Sequence, residues 1–314
     1  MTRPTQKIID LHDAYTHGIV DRRRFLERLT RLTGGAAAAS AAISVLTNDY
    51  ARAAITSQND TRLRIGSAHF ETGAIIDLIE PEEASVGGPN AGVYPTRHVP
   101  FLTAYHAEPK DKKSAPPVLV IHENRGLNAH IKDVARRLAL EGFDVYAIDM
   151  LSAYGGTPCD EEAARAMIGK LDREKSVLKL AAVSRELAGA GAKLRKVGAV
   201  GFCWGGGMVN RLAGAPSSAL DAGVAYYGAT LPAEEAAKIK ARMLLHYAGL
   251  DNRINKGVRA FETALKSAGV GYDAYTYPGV NHAFNNDTNA ARYNKAAADL
   301  AWGRTVRFLK ETLS

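Results

Sequence analysis

Apolar positions in this chain follow two rhythms. Short, mainly apolar runs recur at 117–121, 143–148, 196–200, 222–227 and 242–249. Runs of that length predict strands buried on both faces. Between them the spacing turns helical. In 128–141 the apolar members Ile131, Val134, Ala135, Leu138 and Ala139 share one helical face. Residues 161–169, 175–187, 232–240, 253–268 and 294–312 also predict helices, the last presenting Leu300, Trp302, Val306 and Leu309. Residues 272–277 alternate as a strand and break at Pro278-Gly279. Residues 98–107 predict a further strand through Val99, Phe101 and Tyr105, and 61–70 a short strand or an ordered extension. Residues 80–92, rich in Glu, Gly and Pro, predict a loop, as do 152–158 near the site rim. Strands alternating with helices imply an α/β fold with a mainly parallel sheet covered on both faces.

One junction in this pattern carries chemistry. The run at 196–200 leads into Gly201-Phe202-Cys203-Trp204-Gly205-Gly206-Gly207, and a helix is predicted from Met208 to Leu212. Strand, G-x-C-x-G and helix make a nucleophile elbow with cysteine where serine is more usual. So sharp a turn needs very small residues two before and two after the nucleophile, which Gly201 and Gly205 supply. The helix N-terminus is then aimed at the sulfur and favours its thiolate. The plainer reading is a glycine-rich turn around a buried, inert cysteine.

The rest of the chain offers partners in the order such folds require: nucleophile, acid, histidine. Asp251 follows the run at 242–249, on the rim where ligands collect in open α/β sheets. His282 lies in the loop after the last strand, as a general base that Asp251 would orient. Taken alone, Asp251 also fits a helix N-cap and His282 a turn residue. Upstream, the strand at 117–121 ends in His122-Glu123-Asn124-Arg125-Gly126, the loop that supplies the second oxyanion donor. The expected donors are the backbone N–H groups of Asn124 and Trp204, fixed before charge develops. Glu123 has an ordinary alternative, an ion pair with Arg125 or Arg253.

From about Val93 to Leu313 the chain resembles the dienelactone hydrolase (carboxymethylenebutenolidase) family of α/β-hydrolases. The marks are Gly201-Phe202-Cys203-Trp204-Gly205-Gly206, the Asp251 loop, Gly279-Val280-Asn281-His282-Ala283-Phe284 and the glutamate of His122-Glu123-Asn124. The resemblance implies an α/β-hydrolase fold and hydrolysis of an ester or lactone through a cysteine thioester. It also gives Glu123 a role, as a switchable base that leaves the thiol neutral in an empty site. A neutral thiol resists oxidation. Family members bind a substrate carboxylate with arginines, one of them four residues after the histidine; here that position is Asn286. An amide does not replace a bidentate guanidinium. Arg165 is the match for a second family arginine, and Arg125 and Arg253 are candidates to take over. Tyr154, Trp204, Tyr226 and Tyr227 fall where they would line an acyl or ring pocket, although Tyr226 and Tyr227 equally fit core packing. The alternatives are a general carboxylesterase or thioesterase, and a non-catalytic binding protein on a hydrolase scaffold.

Composition narrows this little further. With 314 residues, 46% hydrophobic and 7% aromatic, the chain can bury one large core. Its 40 basic and 33 acidic residues are scattered, with no basic stripe of a nucleic-acid binder, and mildly favour a small anionic substrate. No apolar run in the body of the chain is long enough for a stable membrane span. Its two cysteines, Cys159 and Cys203, belong to no zinc-spaced cluster. No metal or organic cofactor is expected, and no oligomeric state is implied.

The N-terminus reads separately. Asp21-Arg22-Arg23-Arg24-Phe25-Leu26, the weakly apolar stretch 32–46 and Ala51-Arg52-Ala53 resemble a twin-arginine export signal that would leave Ala54 first. Export would place the protein in the periplasm. The alternative is an amphipathic helix retained in a cytoplasmic protein, favoured by a helical run at 8–19 and by Arg28 and Arg31. The expected organisation is an extension over 1–53, a connecting segment over 54–92 and a catalytic domain over 93–314.

Overall fold

The mainly apolar runs become the middle of a single sheet. The computed structural model describes residues 4–50, 55–73, 101–112, 114–189 and 195–314. Among the described residues eight strands pair: β1 (Leu63–Glu71), β2 (Phe101–Pro109), β3 (Pro117–Ile121), β4 (Asp144–Asp149), β5 (Val197–Phe202), β6 (Leu220–Tyr226), β7 (Arg242–Ala248) and β8 (Tyr272–Tyr277). Their order is β1-β2-β4-β3-β5-β6-β7-β8. β1 and β2 run antiparallel at one edge, and β4, β3 and β5 to β8 are mutually parallel. β3 and β5 are buried at every position, as strands covered on both faces must be.

The helices that follow in the chain are α4 (Ala129–Leu140), α5 (Glu161–Lys170), α6 (Arg173–Ala188), α7 (Trp204–Gly214), α8 (Ala233–Ala236), α9 (Asn252–Ser267) and α10 (Lys295–Leu313). Side chains alternate across each strand, so every central strand feeds two cores. Leu119 and Ile121 join Leu180, Val209 and Phe261 on one face. Val118 and Val120 join Val134, Leu138 and Leu309 on the other.

Two expectations shift, and one open choice closes. The helix after Cys203 opens at Trp204, because the elbow turns straight into it; its glycines conceal that start from a propensity reading. The helix expected over 232–240 is only the single turn Ala233–Ala236. The segment expected at 61–70 is a strand, β1, paired along its length with β2. The loop expected over 80–92, residues 98–100 and Ala51-Arg52-Ala53 lie outside the described residues.

Residues 5–50 pack onto this body. α1 (Gln6–Thr16), α2 (Arg22–Thr33) and α3 (Ala36–Leu46) enclose a small core of Ile8, Ile9, Tyr15, Phe25, Leu29 and Leu46. Asp21 caps α2 through the Arg24 N–H, and Gly34 ends it at φ 80°. Asn289 donates to the Leu46 carbonyl at 2.7 Å, and the Thr288 carbonyl accepts from the Asp49 N–H at 2.7 Å. Among the described residues no single helix is long and apolar enough to cross a membrane; α2 and α3 meet at 111°.

Two buried imidazoles make the fold acid-sensitive. His246 is enclosed between Thr305 and the Tyr277 hydroxyl, and burial, then Arg304, pushes its pKa down to about 3. Burial, then Arg292, does the same to His12 in α1. Both pKa values are depressed on folding, so between 6.5 and about 3 the unfolded chain binds more protons. Stability is therefore complete above the ordinary value and is lost as pH falls through that window. Urea unfolding at pH 5 should show stability lower by on the order of 2–4 kcal/mol than at pH 7.5. An unchanged midpoint would mean that these rings ionise in the folded state.

Candidate active site

The elbow places Cys203 at φ 52° and ψ −112°, a conformation costing about 1–3 kcal/mol for a residue with a Cβ. Packing enforces it. The Cys203 N–H donates to the Tyr226 carbonyl at 3.0 Å, and its own carbonyl accepts from Gly207 at 3.2 Å. A Cβ on Gly201 would lie 2.2 Å from the Gly205 carbonyl oxygen, and one on Gly205 the same distance from that of Ile121. Both small residues are thus required by close backbone approach. Trp204 is the first residue of α7, so its N–H has no partner within the helix. Its ring stacks on His122, with centroids 5.6 Å apart.

His282 and Asp251 meet at 2.5 Å, Nδ1 to Oδ2, and both are buried. Asp251 is at once an N-cap and an acid: its Oδ1 accepts from the Ile254 N–H at 3.2 Å. Sγ of Cys203 and ring nitrogens of His17 and His282 lie within 4.8 Å of one another. That grouping could also hold a thiophilic cation, and His106, Glu108 and Asp144 bring nitrogen and oxygen donors together elsewhere on the sheet. Charge follows the geometry. Burial raises the Cys203 pKa, yet the imidazoles of His282 and His17 carry it down to about 6. Burial lowers that of His282, but the Cys203, Asp251 and Asp13 charges hold it well above its ordinary value.

Glu123 is buried in a polar niche. It accepts from the Tyr227 hydroxyl at 3.1 Å and from the Asn286 amide at 2.9 Å, in place of an ion pair with Arg125 or Arg253. Thr288 holds the other end of the Asn286 amide through its N–H and hydroxyl.

A cavity of about 490 Å³ opens beside Cys203. Asn124, Trp204 and Tyr227 line it, together with Arg165, Arg173, Arg211 and Arg253. Arg165 is steadied by Glu162 at 2.8 Å and by the Tyr15 ring. Three residues expected at the substrate lie elsewhere. Arg125 is captured by Glu162 at 2.8 Å and by the Glu161 carbonyl. Tyr154 is buried in the core that holds Met167 and Ile168. Asn286 is turned toward Glu123. Tyr226 is also core, its hydroxyl against Thr305.

His17, at the end of α1, reaches this site without any signal in its local sequence. Its Nε2 lies 3.4 Å from Sγ, across 186 residues of chain. The apolar face of 8–19 indicates that the segment packs on something, but not on what.

Residues 102–313 match the model of the dienelactone hydrolase family, a region that excludes α1 to α3 and β1. A protein of Escherichia coli O157:H7, provisionally named carboxymethylenebutenolidase, is 31% identical over 226 residues, covering 67% of this chain and 82% of that protein. A Saccharolobus solfataricus protein with the same provisional name is 32% identical, covering 67% of this chain and 93% of its own length. A crystal structure of a dienelactone hydrolase-like promiscuous phosphotriesterase from metagenomic libraries shares the fold, with a TM-score of 0.64 at 23% identity over 81% of this chain and all of that one.

Proposed function

The chain belongs to the dienelactone hydrolase family, whose members cleave ester or lactone bonds, and we propose that it does so through a thioester on Cys203. The observation that carries this reading is one cluster: a cysteine on a strained elbow beside an imidazole that a buried carboxylate holds at 2.5 Å. Cys203 attacks the carbonyl carbon. The Trp204 and Asn124 N–H groups hold the oxyanion. His282 serves the proton transfers and Asp251 fixes its tautomer and its charge. Glu123 is the substrate-responsive base, released when a ligand displaces its Tyr227 and Asn286 partners.

The four arginines around the cavity favour a small anionic ester or lactone. A second reading is a broader carboxylesterase or thioesterase. It is favoured by Asn286 and Arg125, both engaged with acidic neighbours in place of a substrate carboxylate.

A panel of carboxylate-bearing lactones, neutral aryl esters and acyl thioesters separates the readings. We expect turnover with an acyl adduct on the Cys203 peptide in quenched samples, and kcat/KM for anionic substrates falling with added salt. Equal rates for neutral esters, with no salt effect, would select the broader reading. Silence across the panel would point to a binding protein.

A further inference from the structure

We propose that His17, from the helical segment preceding the family-matched region, is a catalytic residue that takes the proton of the Cys203 thiol. The inference rests on Cys203 being the nucleophile, and revises that reading at one step: His17, in place of His282 or Glu123, receives the thiol proton.

Hydrogen bonding distinguishes the two rings. His17 Nε2 stands 3.4 Å from Sγ. His282 Nε2, though buried, makes no hydrogen bond of ordinary geometry among the described residues, although its ring also stands against the sulfur and acts on it by charge. The tautomer of His17 follows from its other nitrogen, which lies 2.8 Å from the Asp13 carbonyl. A carbonyl only accepts, so Nδ1 carries the hydrogen and the neutral ring presents its lone pair at Nε2. Arg253 Nη2, at 3.0 Å, can only donate and competes with the thiol for that single lone pair. Sulfur and guanidinium therefore share one acceptor nitrogen, and proton transfer from the thiol displaces the guanidinium contact.

The active-site loops also grip the chain beside His17. The Asn124 amide donates to the Thr16 carbonyl at 2.9 Å. Gln6 donates to Asn281, next to His282, at 2.5 Å. Arg292 lies 3.5 Å from Asp13. The two rings meet edge to face, with centroids 4.8 Å apart.

The step balances without a further reactant. The S–H bond breaks, its electron pair stays on sulfur, and a bond forms between the proton and His17 Nε2. The thiolate attacks, the carbonyl–oxygen single bond of the ester breaks, and the departing alkoxide takes the proton from Nε2. His282 then deprotonates the water that cleaves the thioester, and returns that proton to the leaving sulfur. Four charged or titratable groups face the His17 ring: Asp13 from α1, Cys203 from the elbow, His282 from the loop after β8 and Arg253 from α9. Arg253 opposes a charge on the ring, while Asp13 and the thiolate favour it.

The test uses the full chain with His17→Ala and His17→Gln, the latter keeping polarity and bulk without basicity. Alkylation of Cys203 by iodoacetamide is followed from pH 5 to 9 by mass spectrometry, with exposed Cys159 as internal reference. Both variants should move the Cys203 midpoint upward by about one pH unit and lower kcat/KM for an activated ester by about 10²-fold. Cys159 should not move. A parental midpoint in either folded variant, or faster hydrolysis from an unplugged site, would overturn the proposal. Cys203→Ala, run alongside, keeps the two readings apart. Hydrolysis surviving that change removes the nucleophile assignment, whereas its loss together with an unmoved Cys203 midpoint in the His17 variants removes the His17 role alone.

Discussion

Cys203→Ala should lower turnover of small activated esters by at least about 10⁴-fold, with KM nearly unchanged and the protein folded. The sulfur is the atom that bonds to the acyl carbon. Deleting it leaves the cavity, the oxyanion donors and the arginines in place, so binding persists while chemistry stops. The fold tolerates the change because alanine meets the same backbone demand at φ 52° that cysteine already meets. Cys203→Ser is the sharper companion. Its hydroxyl sits in the same place but is far less acidic, so it should also be slow, and more so below pH 8. Steady-state kinetics on both variants, with circular dichroism to confirm folding, checks this. Parental kcat in the alanine variant would remove Cys203 as nucleophile.

What the sequence makes legible is whatever local geometry demands. Glycines two before and two after a nucleophile are a steric requirement, and the coordinates show the backbone contacts behind it. Chain order and strand ends bring Asp251 and His282 to one rim of a parallel sheet, where they meet. Substrate contacts are a different matter, because they depend on where long side chains turn. Arg125 sits on the right loop, but a glutamate 37 residues away captures it. Asn286 reads as the loss of a carboxylate ligand, while its amide has taken up Glu123. Neither choice is encoded within a few residues of the side chain that makes it.

The N-terminal segment shows how one pattern can serve two readings. Paired arginines before Phe25-Leu26 fit an export signal, and the spacing of Phe25 and Leu29 equally fits one buried helical face. Packed against the body, the segment buries that face and keeps Arg22, Arg23 and Arg24 exposed. It also delivers His17 to a sulfur that lies 186 residues later in the chain.

Gly205→Ala should cost about 3–5 kcal/mol of stability, and about 10²-fold in kcat for whatever fraction folds. The added Cβ would stand 2.2 Å from the Ile121 carbonyl oxygen and 2.5 Å from that of His122. Neither is the end of a flexible side chain. Relief requires α7 to draw back from the end of β3, carrying the Trp204 N–H away from the oxyanion. Gly207→Ala provides the contrast within the same helix. There the new methyl finds its nearest neighbour at 3.4 Å, the Ala229 Cβ, an ordinary contact. Replacing a helical glycine by alanine otherwise gains up to about 1 kcal/mol, so this variant should equal or exceed the parent in stability. Urea midpoints for the two proteins, read together, isolate the close approach from helix propensity. A Gly205→Ala protein as stable as Gly207→Ala would mean that α7 does not sit hard against β3, and the elbow would lose the backbone packing that holds Cys203 at its positive φ.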